Sequence, residues 1–432
     1  MKSAHLSWVG IVRVGLVQCA LGSIVVLATS TLNRVMVVEL ALPATLPGIL
    51  LGLHYAVQLS RPRWGHGSDV GGSRTRWIVG GMAVLAASIV AAAFGVVLME
   101  TNPALGIAVA AVAYFMIGVG IGAAGTSALA LLATLTAPRR RAAAATIVWL
   151  MMIFGIAVTA GVAGSFLDPW SPARLLTVVA TVAAGAFALA TLAVWGVERS
   201  VAAPQAPDDA AAPFGQVLRE VWAEPEARRF TVFVFLSMFA YNTQELILEP
   251  YAGHVFAYTL GESTMLSSTQ HQGVFLGMVA VGIGASGLKL GSLRFWTVAG
   301  CLASAAALAV VAALGQVGPG APLRAAVFAL GVANGAFATA AIASMMGLAG
   351  AGKGRREGVR VGFWGAAQAI GFGLGAFGGA AAVDLARIAL DEPRAYGVVF
   401  LAEGALFLVS ALLAVRIAQL RPAPSPALVP GE

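Results

Sequence analysis

The sequence predicts an all-α membrane protein with twelve transmembrane helices, and three observations carry that expectation. Of the 432 residues, 59% are hydrophobic and 10% are charged, with a mean hydropathy of +0.87. A soluble domain carries about 25% charged residues, so this chain cannot coat a soluble globule of its length. Its apolar fraction is equally too high for a disordered chain. The apolar residues fall in runs long enough to cross a bilayer, and Lys and Arg gather on one side of those runs. The two cysteines, Cys19 and Cys301, lie far apart inside apolar runs, which excludes a disulfide scaffold.

The runs read 14–33, 40–60, 77–99, 104–136, 142–166, 174–195, 230–256, 272–290, 295–316, 323–350, 359–383 and 395–415, each bounded by Arg clusters, Pro or Gly. The first, between Arg13 and Arg34, matches one crossing at about 1.5 Å per residue. It is longer than a signal-peptide core and lacks an A-x-A exit, so it reads as a retained helix. Between the sixth and seventh runs lies a hydrophilic stretch, 197–229. It begins as an Ala/Pro-rich linker and ends, from Phe214 to Arg229, in a short amphipathic helix at the membrane surface. The expected organisation is therefore a six-helix bundle over 1–196, a cytoplasmic linker over 197–229, a second six-helix bundle over 230–420 and a tail over 421–432 of disordered composition. Of the 26 Lys and Arg residues, 21 fall on the side that holds both termini. The positive-inside rule makes that side the cytoplasm. Topology thus accounts for the net charge of +7 and the pI near 9.9, and no nucleic-acid partner is needed to explain them.

The halves carry matching marks. Asn33, Glu39 and Pro43 in the first span are answered by Asn242, Glu249 and Pro250 in the seventh. Gly118 and Gly122 in the fourth are answered, 213 positions on, by Gly331 and Gly335 in the tenth, and both of these spans end in basic clusters, Arg139–Arg141 and Lys353–Arg356. The 6+6 pattern resembles the major-facilitator architecture, in which two six-helix halves flank a central cavity. After the second span, Gly65, Asp69, Gly72 and Arg74 resemble the facilitator loop G-x-x-x-D-x-x-G-x-R. The resemblance implies a conformational latch across the two halves; the alternative is a loop made basic by topology alone. The matching loop of the second half, LKLGSLRF, has no Asp.

Ionisable groups inside spans cost about 2.5–3.5 kcal/mol each at mid-helix on insertion scales, so each is a candidate. Arg34 and Glu39 lie near the outer end of the first span. Glu245 and Glu249 are four apart on one face of the seventh. Arg34 is expected to face Glu245 or Glu249 across a cavity that Asn33 and Asn242 also line; the alternative is that these groups are hydrated at the interface. His54 and Gln58 in the second span, and His271 and Gln272 opening the eighth, are candidate ligating residues, because a neutral imidazole in lipid can ligate the magnesium of a chlorin as well as any other metal. A lone membrane histidine also serves as a hydrogen-bonded packing residue. No His/Cys group has zinc spacing, so no protein-bound metal is expected. The stretch from Gly347 to Gly354 mimics a phosphate loop but has Gly354 where Ser or Thr is needed and follows a membrane helix. The only close aspartate pair, Asp208 and Asp209, falls in the linker, so the inventory for a magnesium-diphosphate enzyme is missing and no enzyme is expected.

Three long blocks, 30–69 (from STLNRVMVVELALPATLPG), 244–278 (QELILEPYAGHVFAYTLGE and onward) and 354–375 (GRREGVRVGFWGAAQAIGFGLG), resemble the PucC family of phototrophic bacteria. The short termini are most similar to the branch labelled a bacteriochlorophyll synthase chain. The likeness covers nearly the whole chain. It implies a multi-pass protein of the bacterial inner (intracytoplasmic) membrane that carries bacteriochlorophyll or its precursor as cargo. Such a protein would deliver pigment to light-harvesting and reaction-centre polypeptides during assembly, close to the terminal bacteriochlorophyll synthase, and the resemblance makes His54, Gln58, His271 and Gln272 its candidate pigment-binding residues. Two other classes stay open: a proton-coupled secondary transporter of a small solute, and a pigment-free assembly chaperone for light-harvesting helices.

Overall fold

A computed structural model describes residues 5–58, 73–137, 140–198, 222–223, 225–288, 290–351 and 357–416. Among them are twelve helices and no strand: α1 Trp8–Glu39, α2 Thr45–Gln58, α3 Arg74–Leu98, α4 Pro103–Leu135, α5 Arg141–Phe166, α6 Pro172–Val194, α7 Pro225–Phe256, α8 Leu260–Val281, α9 Leu293–Val317, α10 Leu323–Ala351, α11 Glu357–Ala386 and α12 Glu392–Arg416. Ten of these are long and apolar enough to cross a membrane. The other two are α2, described as a shorter apolar helix, and α8, whose sequence is too polar.

Two boundaries differ from the expectation. Helix α1 runs on to Glu39 through two π-helical turns, Leu27–Thr31 and Val35–Glu39, so the span does not stop at Asn33. Helix α8 begins at Leu260, well before the apolar run at 272. Thr259 and Glu262 form a capping box there, satisfying free amides at the helix start. Its polar first half escapes a hydropathy reading because Ser263, Thr264, Ser267, Ser268 and His271 are buried against protein. Residues 199–221 and 417–432, which hold most of the expected linker and the tail, lie outside the described residues; of the expected amphipathic helix, Trp222 and Ala223 are helical and α7 begins at Pro225.

The packing scheme repeats. Helix α1 packs on α5 and α6, α2 on α4, and α3 on α4 and α6; likewise α7 packs on α11 and α12, α8 on α10, and α9 on α10 and α12. Each set closes around its own apolar core. The sets meet most extensively where α5 packs on α8 and α2 on α11, and α1 also touches α7 and α8 between them; together these define a seam. The paired glycines act as small-residue spacers. A Cβ on Gly118 would meet the His54 carbonyl at 2.7 Å, and one on Gly331 would collide with the Gln270 carbonyl.

Candidate functional site

The seam begins with a buried polar stripe on α1, where Ser30, Thr31, Asn33 and Arg34 are 3% exposed or less. The π turns rotate these side chains toward α7 and α8. Arg34 Nε donates to Ser263 Oγ at 2.9 Å and Nη2 to the Tyr258 carbonyl at 2.7 Å, while Nη1 forms an ion pair with Glu39. The expected pairing of Arg34 with Glu245 or Glu249 is therefore corrected. The wider π turn over Val35–Glu39 brings a residue five positions on beneath Arg34, and Glu39 takes the guanidinium. Glu249 instead accepts from Ser30 Oγ through Oε1, and its Oε2 is buried with no hydrogen bond among the described residues. Asn33 Nδ2 donates to the Leu246 carbonyl of α7 at 2.8 Å, across the seam. Asn242 Nδ2 donates to the Phe372 carbonyl of α11 at 2.8 Å, inside its own set. The two asparagines align in sequence and do different work.

Two aspartates that sequence reasoning passed over close one end of the seam. Asp384, in the last turn of α11, accepts from the amides of Ala44 at 3.0 Å and Thr45 at 2.7 Å and from the Thr45 hydroxyl. It thereby caps the start of α2. Asp168, just after α5, accepts from the Gly261 amide at 3.0 Å and the Thr259 hydroxyl at 2.5 Å, at the start of α8. A carboxylate at a helix N-terminus meets unpaired N–H groups and the positive end of the helix dipole. Each clasp reaches from one helix set to the other, and they follow the same scheme. The signal was present as a lone Asp after each of two spans, but nothing in the sequence showed which helix start each would meet.

Away from the clasps, the seam is lined by rings. Tyr55 of α2 lies 5.7 Å from Phe372 of α11, and Tyr241 of α7 lies 6.1 Å from the same ring. Glu245, one turn beyond Tyr241, is half-buried and has no hydrogen bond or ion pair among the described residues. Tyr55 also lines a groove of about 350 Å³ between α2 and α11, floored by Gly48, Gly52, Ala56, Gly373 and Phe377. Aromatic shelf and apolar groove are thus continuous through Tyr55.

The remaining candidates fall elsewhere. His54 is 3% exposed and edge-on to Tyr55 at 4.9 Å. His271 is 4% exposed, and its Nδ1 lies 2.9 Å from the Ser267 carbonyl. Both rings are enclosed by packing, so the axial-ligand reading of His54 and His271 finds no open imidazole face. Gln272 is exposed and donates to Ser268 Oγ at 3.1 Å; the Gln58 side chain lies outside the described residues. So do Gly65, Asp69 and Gly72 of the expected latch. Arg74, its last member, donates to the Ala130 carbonyl at 3.3 Å and to Thr134, tying α3 to α4 within one helix set. At the same end, Glu198 caps α3, accepting from the amides of Arg74 at 3.0 Å and Thr75 at 3.1 Å and from the Ser73 and Thr75 hydroxyls. Partial burial pushes its carboxyl up, but these hydrogen bonds outweigh burial and hold it below the ordinary glutamate range. No group of three or more metal-ligating side chains occurs among the described residues.

Residues 31–421 match the family described as PUCC protein. The chain belongs to the PucC family. Among relatives of this PucC-family chain, the "Bacteriochlorophyll synthase 44.5 kDa chain" of Rhodobacter capsulatus is 56% identical over 99% of this chain and 100% of the relative. A "Protein PucC" from the same organism is 29% identical over 84% of this chain and 81% of the relative. Among solved structures, the peptide transporter POT in complex with sulfate superposes with a TM-score of 0.73 at 14% identity, covering 97% of this chain and 98% of that one. A bacterial homologue of the lysosomal transporter Spinster, inward-facing, gives 0.69 at 16% identity over 96% and 98%. The fold is that of a multi-pass, major-facilitator-type membrane protein.

Proposed function

We propose that this PucC-family protein holds bacteriochlorophyll in the membrane and delivers it to light-harvesting or reaction-centre polypeptides during their assembly, without catalysing a step on the pigment. The observation that carries this reading is the continuity, through Tyr55, of the aromatic shelf and the α2–α11 groove. Bacteriochlorophyll is a flat, apolar ring with a long isoprenoid tail. The ring suits the shelf of Tyr55, Phe372 and Tyr241, with Glu245 accepting from a polar edge or an axial water. The groove has room for a tail, and it lies where two helix sets part toward lipid. The name of the 56% identical relative supports the same substrate class.

Our topology is twelve spans in two six-helix halves, 1–196 and 230–420, with both termini cytoplasmic in a bacterial inner (intracytoplasmic) membrane. The recurrence of the same helix pairings in the two sets supports it, as does the Lys and Arg asymmetry. The Asp168 and Asp384 clasps then close the periplasmic side, and pigment leaves sideways rather than through water.

The test is mild-detergent purification from pigment-producing cells, followed by an absorption spectrum. The wild type is expected to carry bacteriochlorophyll, and Gly52→Leu, which fills the groove, to carry several-fold less. Pigment content unchanged by Gly52→Leu and by Tyr55→Ala would remove the groove from the account. A second reading, a proton-coupled transporter of a small solute, draws support from the half-buried, unpaired Glu245 and from the transporter fold. A pigment-free wild type that takes up solute into liposomes under a pH gradient would establish it. Crosslinking to light-harvesting helices with pigment synthesis blocked would favour a chaperone.

A further inference from the structure

The C-terminal helix set carries polar groups in its core, away from the seam. Tyr251 fixes the register: its hydroxyl donates to the Val311 carbonyl of α9 at 2.6 Å, and its ring lies 5.0 Å from Phe400 of α12. Two helical turns back along α7, on the same face as Tyr251, is Gln244. The same step back along α9 from Val311 reaches Ser304, whose hydroxyl donates to Asn334 Oδ1 of α10 at 2.8 Å. One turn on from Phe400 is Glu403, beside Gly404, where α12 approaches α9 at Ala305. These register steps place Gln244, Ser304, Asn334 and Glu403, from four helices, at about one depth of this core.

All four are closed off: Gln244, Ser304 and Asn334 are 0% exposed and Glu403 is 1% exposed. Yet Gln244 Nε2 and Oε1, Asn334 Nδ2 and both carboxylate oxygens of Glu403 have no hydrogen-bond partner among the described residues. Buried polar groups are normally paired, and the exceptions call for an occupant. The basic residues of these helices, Arg228, Arg229, Arg294, Arg324, Arg394 and Arg416, lie at helix ends. Glu245 and Glu249 face the seam, and Asp384 of α11 is engaged with α2. Tyr251, Tyr396 and Cys301 are the buried titratable groups beside it and supply no positive charge; His254 meets Tyr396 at 3.1 Å, but ten residues along α7 from Gln244 and beside Glu392. An ionised carboxylate left alone in such an interior is very costly.

We propose that Gln244, Ser304, Asn334 and Glu403 form a site for one small cation, either a proton held with water or an alkali-metal ion, enclosed in the C-terminal helix set. Glu403 and Gln244 Oε1 provide hard oxygen atoms suited to a small cation. The amide N–H groups of Gln244 and Asn334 hold the water that completes the shell. Ser304 orients Asn334. The site is separate from the pigment groove and does not depend on the pigment reading.

The experiment follows the thermal unfolding of the full-length protein in mild detergent, wild type against Glu403→Gln. It uses sodium, potassium and choline chloride at equal ionic strength, and a pH series. The wild type is expected to respond to alkali metal or to pH in a way that Glu403→Gln does not; taking the difference removes contributions from Glu198. A sodium or potassium response identifies a metal ion. A pH response alone, with an infrared carboxylic C=O band absent from Glu403→Gln, identifies a proton. Asn334→Leu removes an amide that holds the site's water and is expected to weaken the apparent affinity at least ten-fold, within the range of about 10–100-fold that loss of a supporting hydrogen bond costs an ion site. Identical responses of wild type and Glu403→Gln overturn the site. If Glu403→Gln does not fold, the infrared spectrum and salt series of the wild type still decide: neither a carboxylic band nor an alkali-metal response overturns it.

Discussion

The two helix sets share a packing scheme but not an interior. Among the described residues the N-terminal set buries Gln18, His54, Ser88, Ser127 and Thr136 but no carboxylate, and its one fully buried tyrosine, Tyr114, donates its hydroxyl to the Ala28 carbonyl at 2.9 Å. The C-terminal core holds Gln244, Ser304, Asn334 and Glu403. Asn334 stands where the 213-residue offset places Ile121, a buried apolar residue. The seam reverses the assignment. There α1 sends Ser30, Asn33 and Arg34 across to its neighbours, while α7 turns Asn242 and Thr243 back into its own set. Glycine spacers and helix pairings are shared because they set how closely backbones approach. Polar groups are not shared, because each is tolerated only where a particular partner waits.

The largest expected effect tests that seam asymmetry. Arg34→Ala leaves Glu39 without its cation and removes three donors, so it should cost about 3–5 kcal/mol, as breaking a buried pair does. Thr243→Ala, at the aligned position of α7, should cost far less, about 0.5–1.5 kcal/mol. Thermal unfolding of the two variants in detergent measures the gap, and equal losses would erase the asymmetry. Next come the shared spacers. Gly118→Val and Gly331→Val both force a side chain onto a neighbouring carbonyl and should each cost about 1–3 kcal/mol by overpacking. A loss confined to one half would mean that the packing likeness is superficial.

The clasps rank third. Asp168→Ala and Asp384→Ala each remove a helix cap and should cost about 0.5–2 kcal/mol. The double variant should also expose a cysteine introduced beneath the clasps to a water-soluble maleimide. Protection retained in the double variant would show that the clasps do not hold the seam shut. The smallest effect is at Glu198. Its carboxyl is held below the ordinary range in the folded protein, so its contribution is present above the unfolded glutamate pKa and is lost as pH falls through the lowered folded value. Glu198→Gln should flatten that part of the stability–pH curve and leave neutral pH little changed. An unaltered acid limb would mean that the cap carries no linkage.

Sequence alone determined the class of molecule, because a chain this poor in charge and this rich in long apolar runs has only one solvent open to it. It also marked Arg34, Glu39, Glu245 and Glu249 as costly ionisable groups inside spans and Gly118 and Gly331 as contact points. Partners were another matter. Whether Arg34 meets Glu39 or Glu249 turns on one π-helical turn, and hydropathy does not register helix pitch. The polar start of α8 was hidden because burial against protein, unlike burial in lipid, leaves no apolar run. The meetings of Asp384 with Thr45, of Asp168 with Gly261, and of Ser304 with Asn334 join residues that no sequence pattern links. Only tertiary packing decides which distant helix ends and faces come together, since hydrogen bonds and charges act over a few ångströms in space whatever the separation along the chain.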